Sequence, residues 1–163
     1  MLVAVISDTH LPRGARRLPD ACLERIAAAD LLLHAGDFLT ADVLRELESI
    51  GPPLAGVHGN VDSAEVRRLL PAERVVMVEQ ARIAIVHDAG RAAGRLERMR
   101  LRYGHEADAV VFGHSHLPLH ESAPDGFQIF NPGSPTERRR APRHTMGLAR
   151  VAGKRLEFEL VEL

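Results

Sequence analysis

Tryptophan is absent from this chain of 163 residues, and tyrosine, cysteine and lysine occur once each, as Tyr103, Cys22 and Lys154. A single cysteine excludes an intrachain disulfide and fits a reducing cytosol. The near-absence of lysine leaves arginine as almost the whole basic complement, which we read as genome composition rather than function. Charge of one sign is also missing. The formal net charge is −1, which gives no reason to expect a membrane surface or nucleic acid as an obligate partner. Long hydrophobic runs are lacking too. Asp8 interrupts the first apolar run too early for a signal peptide, and no later segment reaches the length of a membrane span. The expected location is the cytoplasm. What the chain does have is 45% hydrophobic residues, too many for a disordered class and enough for one compact domain over residues 1–163.

Apolar runs alternate with amphipathic ones. Leu2–Ile6 reads as a buried strand. A polar loop over residues 11–18 follows, then a helix starting near Pro19 with Leu18, Cys22, Ile26 and Ala29 at helical spacing. Leu31–Ala35 is a second strand. Thr40 is placed to cap a helix whose inward stripe is Val43, Leu47 and Ile50, ended by Gly51-Pro52. Leu54–Val57 is a third strand, and Asp62 with Glu65 has capping-box spacing for a helix through Leu70. To this point the pattern is β-α-β-α-β-α, which predicts a parallel sheet. After Pro71, Val75–Val78 and Ile83–Val86 read as an antiparallel pair. A helix with Ala92, Leu96, Met99 and Tyr103 on one stripe closes at Gly104, and Ala109–Phe112 is another buried strand. The rest is strand and turn, around Leu117–Glu121, Phe127–Phe130, Leu148–Val151 and Leu156–Val161.

The residues able to do chemistry fall where these strands stop. Asp8-Thr9-His10 follows the first, Gly36-Asp37 the second and Gly59-Asn60-Val61-Asp62 the third. His87 follows Val86, and Gly113-His114-Ser115-His116 follows Phe112. In open α/β sheets, ligands bind beyond the carboxyl ends of the strands, so sequence-distant groups meet on one rim. The neighbouring glycines let the backbone turn and approach closely. Each fragment is weak alone: Gly-Asp and Gly-Asn mark turns everywhere. In His-x-His the two rings point the same way on an extended segment. Together they supply enough hard oxygen and imidazole ligands for two metal ions, an arrangement suited to phosphoryl chemistry.

In order and local context these motifs, with the Asn131-Pro132-Gly133-Ser134 turn, resemble the calcineurin-like metallophosphoesterase superfamily. The closest likeness is to its small bacterial and archaeal phosphodiesterase branch. The resemblance implies a four-layer α/β/β/α sandwich of two mixed sheets flanked by helices. It also implies two divalent metal ions, one on Asp8, His10 and His116, the other on Asn60, His87 and His114, with Asp37 bridging both. Two carboxylates offset only part of the charge of two such cations and leave a positive pocket for phosphate. The mixed donor set suits manganese, which we rank first, or iron, zinc or nickel. The implied reaction is hydrolysis of a small phosphodiester by a metal-bound hydroxide. Homo-oligomer formation is left open.

The family pattern is broken in three places. Where many relatives carry a leaving-group acid directly after the asparagine, this chain has Val61, as the small branch commonly does. Asp88 stands where a glycine often follows the ligand, and Ala89 where many relatives place another histidine. Asp88 is therefore a candidate to support or orient a ligand imidazole or to face the leaving group. His58, the residue before Gly59-Asn60, is a candidate for contact with substrate, and either is a candidate for the missing acid. His34 reads as a satisfied core residue, and His105, His120 and His144 as surface or loop positions. Arg138-Arg139-Arg140 with Arg143 reads as a solvated face near enough to steer anions. Three further functions stand beside the phosphodiesterase. A non-catalytic scaffold, the route taken by the similar retromer subunit, predicts lost ligands, which this chain keeps. A nuclease predicts a DNA-capping domain or a basic excess, both missing. A phosphomonoesterase predicts the acid that Val61 displaces.

Overall fold

A computed structural model describes all residues, 1–163. Two five-stranded mixed sheets pack face to face, with helices on both outer surfaces. The first half builds one sheet: β1 (Leu2–Ile6), α1 (Asp20–Ala27), β2 (Leu31–His34), α2 (Ala41–Glu48), β3 (Leu54–Gly56) and α3 (Ala64–Leu69). The parallel order β1-β2-β3 follows the expected alternation. The other sheet comes from the antiparallel pair β4 (Glu73–Val78) and β5 (Ala81–Val86), then α4 (Arg95–Tyr103), β6 (Ala109–Val111), β7 (Leu119–Ser122) and β8 (Gln128–Asn131). The chain then returns. β9 (Thr145–Ala152) and β10 (Arg155–Glu162) form a hairpin that joins the first sheet antiparallel to β1, giving the orders β10-β9-β1-β2-β3 and β4-β5-β6-β8-β7.

Strand alternation builds the layers. Val3, Val5, Leu33, Ile83, Ile85 and Val111 point between the sheets. Ala4, Ile6 and Leu32 face the other way, onto Cys22 and Ile26 of α1 and Leu44 and Leu47 of α2. On the far side Ala84, Val110 and Ile129 meet Met99 and Tyr103 of α4. Burial pushes the Cys22 thiol up to about 12, so it behaves as an apolar core side chain.

Three local readings need correction. Ser63, not Asp62, caps α3, accepting from Val66 N at 3.3 Å. Asp62 points instead into the loops described below. Thr40 holds the extended backbone of an N-cap, but its hydroxyl makes no capping bond and is buried without a partner. Ala92 lies outside α4, which begins three residues later behind a left-handed Gly94. No helix is long and apolar enough to cross a membrane.

Candidate metal centre

Parallel pairing sends the loops after β1 and β2 out of the same sheet edge side by side. Asp8 N donates to Gly36 O and His10 N to Asp37 O, each at 2.9 Å, extending the ladder past the strands. The loops after β3, β5 and β6 reach the same rim, and the seven side chains converge. His10 Nε2 and His116 Nε2 are 3.1 Å apart, and Asp8 Oδ1 lies 3.2 Å from His116 Nε2. Asp37 Oδ2 stands between the two flanks, 3.6 Å from His10 Nε2 and 3.3 Å from His87 Nε2. On the second flank, Asn60 Oδ1 lies 3.0 Å from both His87 Nε2 and His114 Nδ1, which are themselves 3.3 Å apart.

The imidazole tautomers give this cluster its meaning. His87 Nδ1 donates to Ala35 O at 2.8 Å, and His116 Nδ1 donates to Glu137 O at 2.5 Å. In its neutral form each ring has then spent its only N–H, and its Nε2 lone pair points at other acceptors. Lone pairs of His87, His116, Asp8, Asp37 and Asn60 thus converge on one another. Such an arrangement is repulsive unless protons or cations lie among them, and a backbone carbonyl on the far nitrogen is the usual way a protein aims a metal-binding histidine. Asp8 with His10 and His116, and Asp8 with Asp37 and His87, have donor atoms close enough to share an ion.

Electrostatics agree. Burial raises the Asp8 carboxyl pKa, but its hydrogen-bonding partners His10 and His116 pull harder, and the net result lies well below the carboxylate range. Asp37 is lowered as well, with His87 and the Val61 N–H outweighing burial. Burial works against the charged form of His87, but Asp37 and Asp8 raise its pKa overall. Both carboxylates are therefore ionised at neutral pH.

Backbone strain is concentrated here. Asp8, His10, Asp37, His114 and His116 all have positive φ, between 47° and 65°, a region that non-glycine residues seldom occupy and that clusters at functional sites. Close approach accounts for two glycines: a Cβ at Gly59 would overlap Asp37 Oδ1, and one at Gly113 would overlap Ser7 Oγ.

The roles of several supporting residues escape a reading of the sequence. Asp62, buried, accepts from the backbone of Asp37 (3.1 Å), Leu39 (2.8 Å) and Gly59 (2.7 Å), pinning the β2 loop to the β3 loop. Its capping-box spacing concealed this role. Ser134 Oγ donates to Asp8 O at 2.8 Å, and Asn131 Nδ2 to Gly113 O at 2.9 Å, so the Asn-Pro-Gly-Ser turn ties together the loops that hold Asp8 and His114. The Glu137 carboxylate sits 3.9 Å from His10 Nε2 and pairs with Arg16 at 3.1 Å; no motif announced it. His34 is a core residue, stacked on Phe38 and bonded to Thr9 Oγ1 and Gly36 N. Burial pushes its pKa down to about 3. His58 and Asp88 are not brought into hydrogen-bonding contact with the cluster. His58 Nδ1 lies 3.3 Å from Gly59 O, and Asp88 accepts from Gly90 N in a local turn.

Comparison with known proteins identifies relatives of the whole chain. The chain is 37% identical to a probable metallophosphoesterase of Methanothermobacter thermautotrophicus, spanning 99% of this chain and 92% of that one. It is 25% identical to a phosphodiesterase of Methanocaldococcus jannaschii, spanning 82% and 83%. Among solved structures, the solution structure of a Thermotoga maritima protein superposes with a TM-score of 0.76 at 28% identity, over 99% of each chain. Vps29 of Entamoeba histolytica, solved with zinc, shares the fold at 0.78 and 20% identity, over 99% of each chain. Residues 1–154 match the model of the calcineurin-like phosphoesterase superfamily domain, and the chain belongs to that superfamily.

Proposed function

We propose that residues 1–163 act as one cytoplasmic metallophosphoesterase domain that hydrolyses small phosphodiesters with two divalent cations. The observation that carries this reading is the convergence of imidazole nitrogens, two carboxylates and the Asn60 amide oxygen around His10–His116 and His87–Asn60. Asp8, His10 and His116 would hold one ion, Asn60, His87 and His114 the other, and Asp37 would bridge them. Manganese ranks first, with iron, zinc or nickel as alternatives. Bound there, the two ions would supply Lewis acidity and a hydroxide nucleophile near neutral pH.

The chain's own residues do the rest. Ala35 and Glu137 carbonyls fix His87 and His116 in one tautomer. Asp62 and the Asn131–Ser134 turn hold the loops in register. Val61 donates its backbone N–H to Asp37 Oδ1 at 3.1 Å, while its side chain, 46% exposed beside Asn60, has no proton to give a departing oxygen. Departure should then depend on the leaving group's own basicity, because a positioned general acid is typically worth about 10²–10⁴-fold. The test is elemental analysis of the purified protein together with rates on aryl and alkyl phosphodiesters and on monoesters. The reading expects two ions per chain, fast aryl diesters, slow alkyl diesters and poor monoesters. Full hydrolytic activity after chelation at neutral pH would overturn it.

A further inference from the structure

Of the seven clustered side chains, only those of Asn60 and His114 belong to solvent-exposed residues, so a substrate approaches from their side. A guanidinium is fastened to the backbone of each. Arg67 Nη2 donates to Asn60 O at 2.7 Å and its Nε to Asp62 O at 3.0 Å. Arg139 Nη1 donates to His114 O at 3.2 Å. Arg139 does so from a left-handed backbone, φ 47°, a conformation that persists only where the surroundings hold it.

Neither Arg67 nor Arg139 faces a carboxylate, in contrast to Arg45 with Glu65, Arg102 with Glu73 and Arg150 with Glu159. Arg95, Arg98 and Arg138 also bond to backbone carbonyls, but to carbonyls outside the cluster. Arg67 and Arg139 spend their donors on neutral carbonyls, so their positive charge is left uncompensated at the mouth of the site. Both are exposed, and most of their N–H groups stay free to fork onto an oxyanion. Because they grip the backbone carbonyls of Asn60 and His114, they flank the two exposed members of the cluster, and a substrate group next to one held there would lie beside them.

We propose that Arg67 and Arg139 clamp a second phosphate, so that the preferred substrate is a short phosphodiester carrying a terminal phosphate monoester next to the scissile ester. This rests on the phosphodiesterase reading for the position of the scissile group. The net charge of −1 favours a short ligand over a polymer, whose binding needs many phosphate contacts.

The test is calorimetry on the purified, metal-containing protein with two methylene-bridged, uncleavable isosteres of a thymidine dinucleotide, one with a 5′-phosphate and one without. Wild type should bind the 5′-phosphorylated isostere about tenfold more tightly, the worth of a charge-assisted pair. R139Q should cut that advantage to about threefold, and R67Q with R139Q should abolish it. Affinity for the unphosphorylated isostere and metal content should not change. No preference in wild type would overturn the clamp, as would variants that lose both isosteres equally along with their metal. If R67Q unfolds α3, R139Q alone decides, because Arg139 is exposed and lies outside every helix and strand. Cleavage of bis(p-nitrophenyl) phosphate is measured in the same preparations. An intact preference without cleavage removes the phosphodiesterase reading and keeps the clamp, whereas cleavage without preference does the reverse.

Discussion

Asp8, His10 and His116 have 0%, 3% and 0% exposure, whereas Asn60 and His114, across Asp37 from them, face solvent. The donors on the two flanks are chemically alike, but their settings differ. On the buried flank, Asp8 is bonded to Ser7 Oγ at 2.6 Å and His114 N at 3.0 Å, and His116 is fixed by the Glu137 carbonyl. On the open flank His87 is buried and fixed by the Ala35 carbonyl, whereas Asn60 and His114 reach outward from it and their side chains touch chiefly one another and His87. Under the two-ion reading proposed above, depth would divide the labour: the buried flank would retain a cation and the open flank would meet substrate.

The largest effect expected is that of removing the group common to both flanks. Asp37→Asn should weaken both proposed ions by about 10²-fold or more, since even outer residues of metal sites are worth 10–100-fold. Undiminished two-ion occupancy by elemental analysis would count heavily against the bridge. Gly59→Ala should come next. Its new methyl presses on Asp37, costing about 1–3 kcal/mol in overpacking, visible as a lower urea midpoint together with lost metal.

Chelation at neutral pH should strip the two ions in sequence, the open flank first. Asn60→Ala should erase the fast phase and leave the slow one. Two ions leaving together at one rate would dissolve the contrast between the flanks.

Acid should act on the metal-free protein through His34. Its folded pKa of about 3 lies below its ordinary 6.5, so between these values the unfolded chain takes up a proton that the native state refuses. Stability should be full above about pH 6.5 and fall as pH drops toward 3, with a buried-group penalty on the order of several kcal/mol. Asp8, whose folded pKa is depressed, adds to the loss at still lower pH. Urea titrations of chelated protein from pH 7 to 4 should show this slope, and His34→Gln should flatten it.

The smallest effects belong to His58→Ala and Asp88→Ala. Each should change stability by less than about 0.5 kcal/mol and leave aryl diester hydrolysis nearly intact. A leaving-group series settles their chemistry: flat in wild type and steep in one variant would identify a concealed acid.

Periodicity was enough to read the parallel β1-β2-β3 half, because buried strands and amphipathic helices carry different repeats there. The rim was legible for the same reason: strand ends can be located, and Asp, Asn and His are the residue types that bind cations. Element bounds drifted in the second half, where β7 and β8 are short and the exposure of β7 hides its period. Asp62 was misread because one spacing serves both a capping box and a carboxylate that gathers N–H groups from another loop. Nothing local distinguishes these two uses. Glu137 escaped because its partners Arg16 and His10 come from the opposite end of the chain.

The left-handed backbone at five of the seven clustered residues bears on how such a protein changes over evolutionary time. Asparagine, aspartate and histidine are among the few side chains that tolerate this conformation, so exchanges among them at Asp8, His10, Asp37, His114 or His116 keep each loop's course while altering what it can bind. The backbone course therefore sets no barrier to such exchanges, and their cost in folding falls on packing and hydrogen bonding, least at the exposed His114 and most at the fully buried Asp8 and His116.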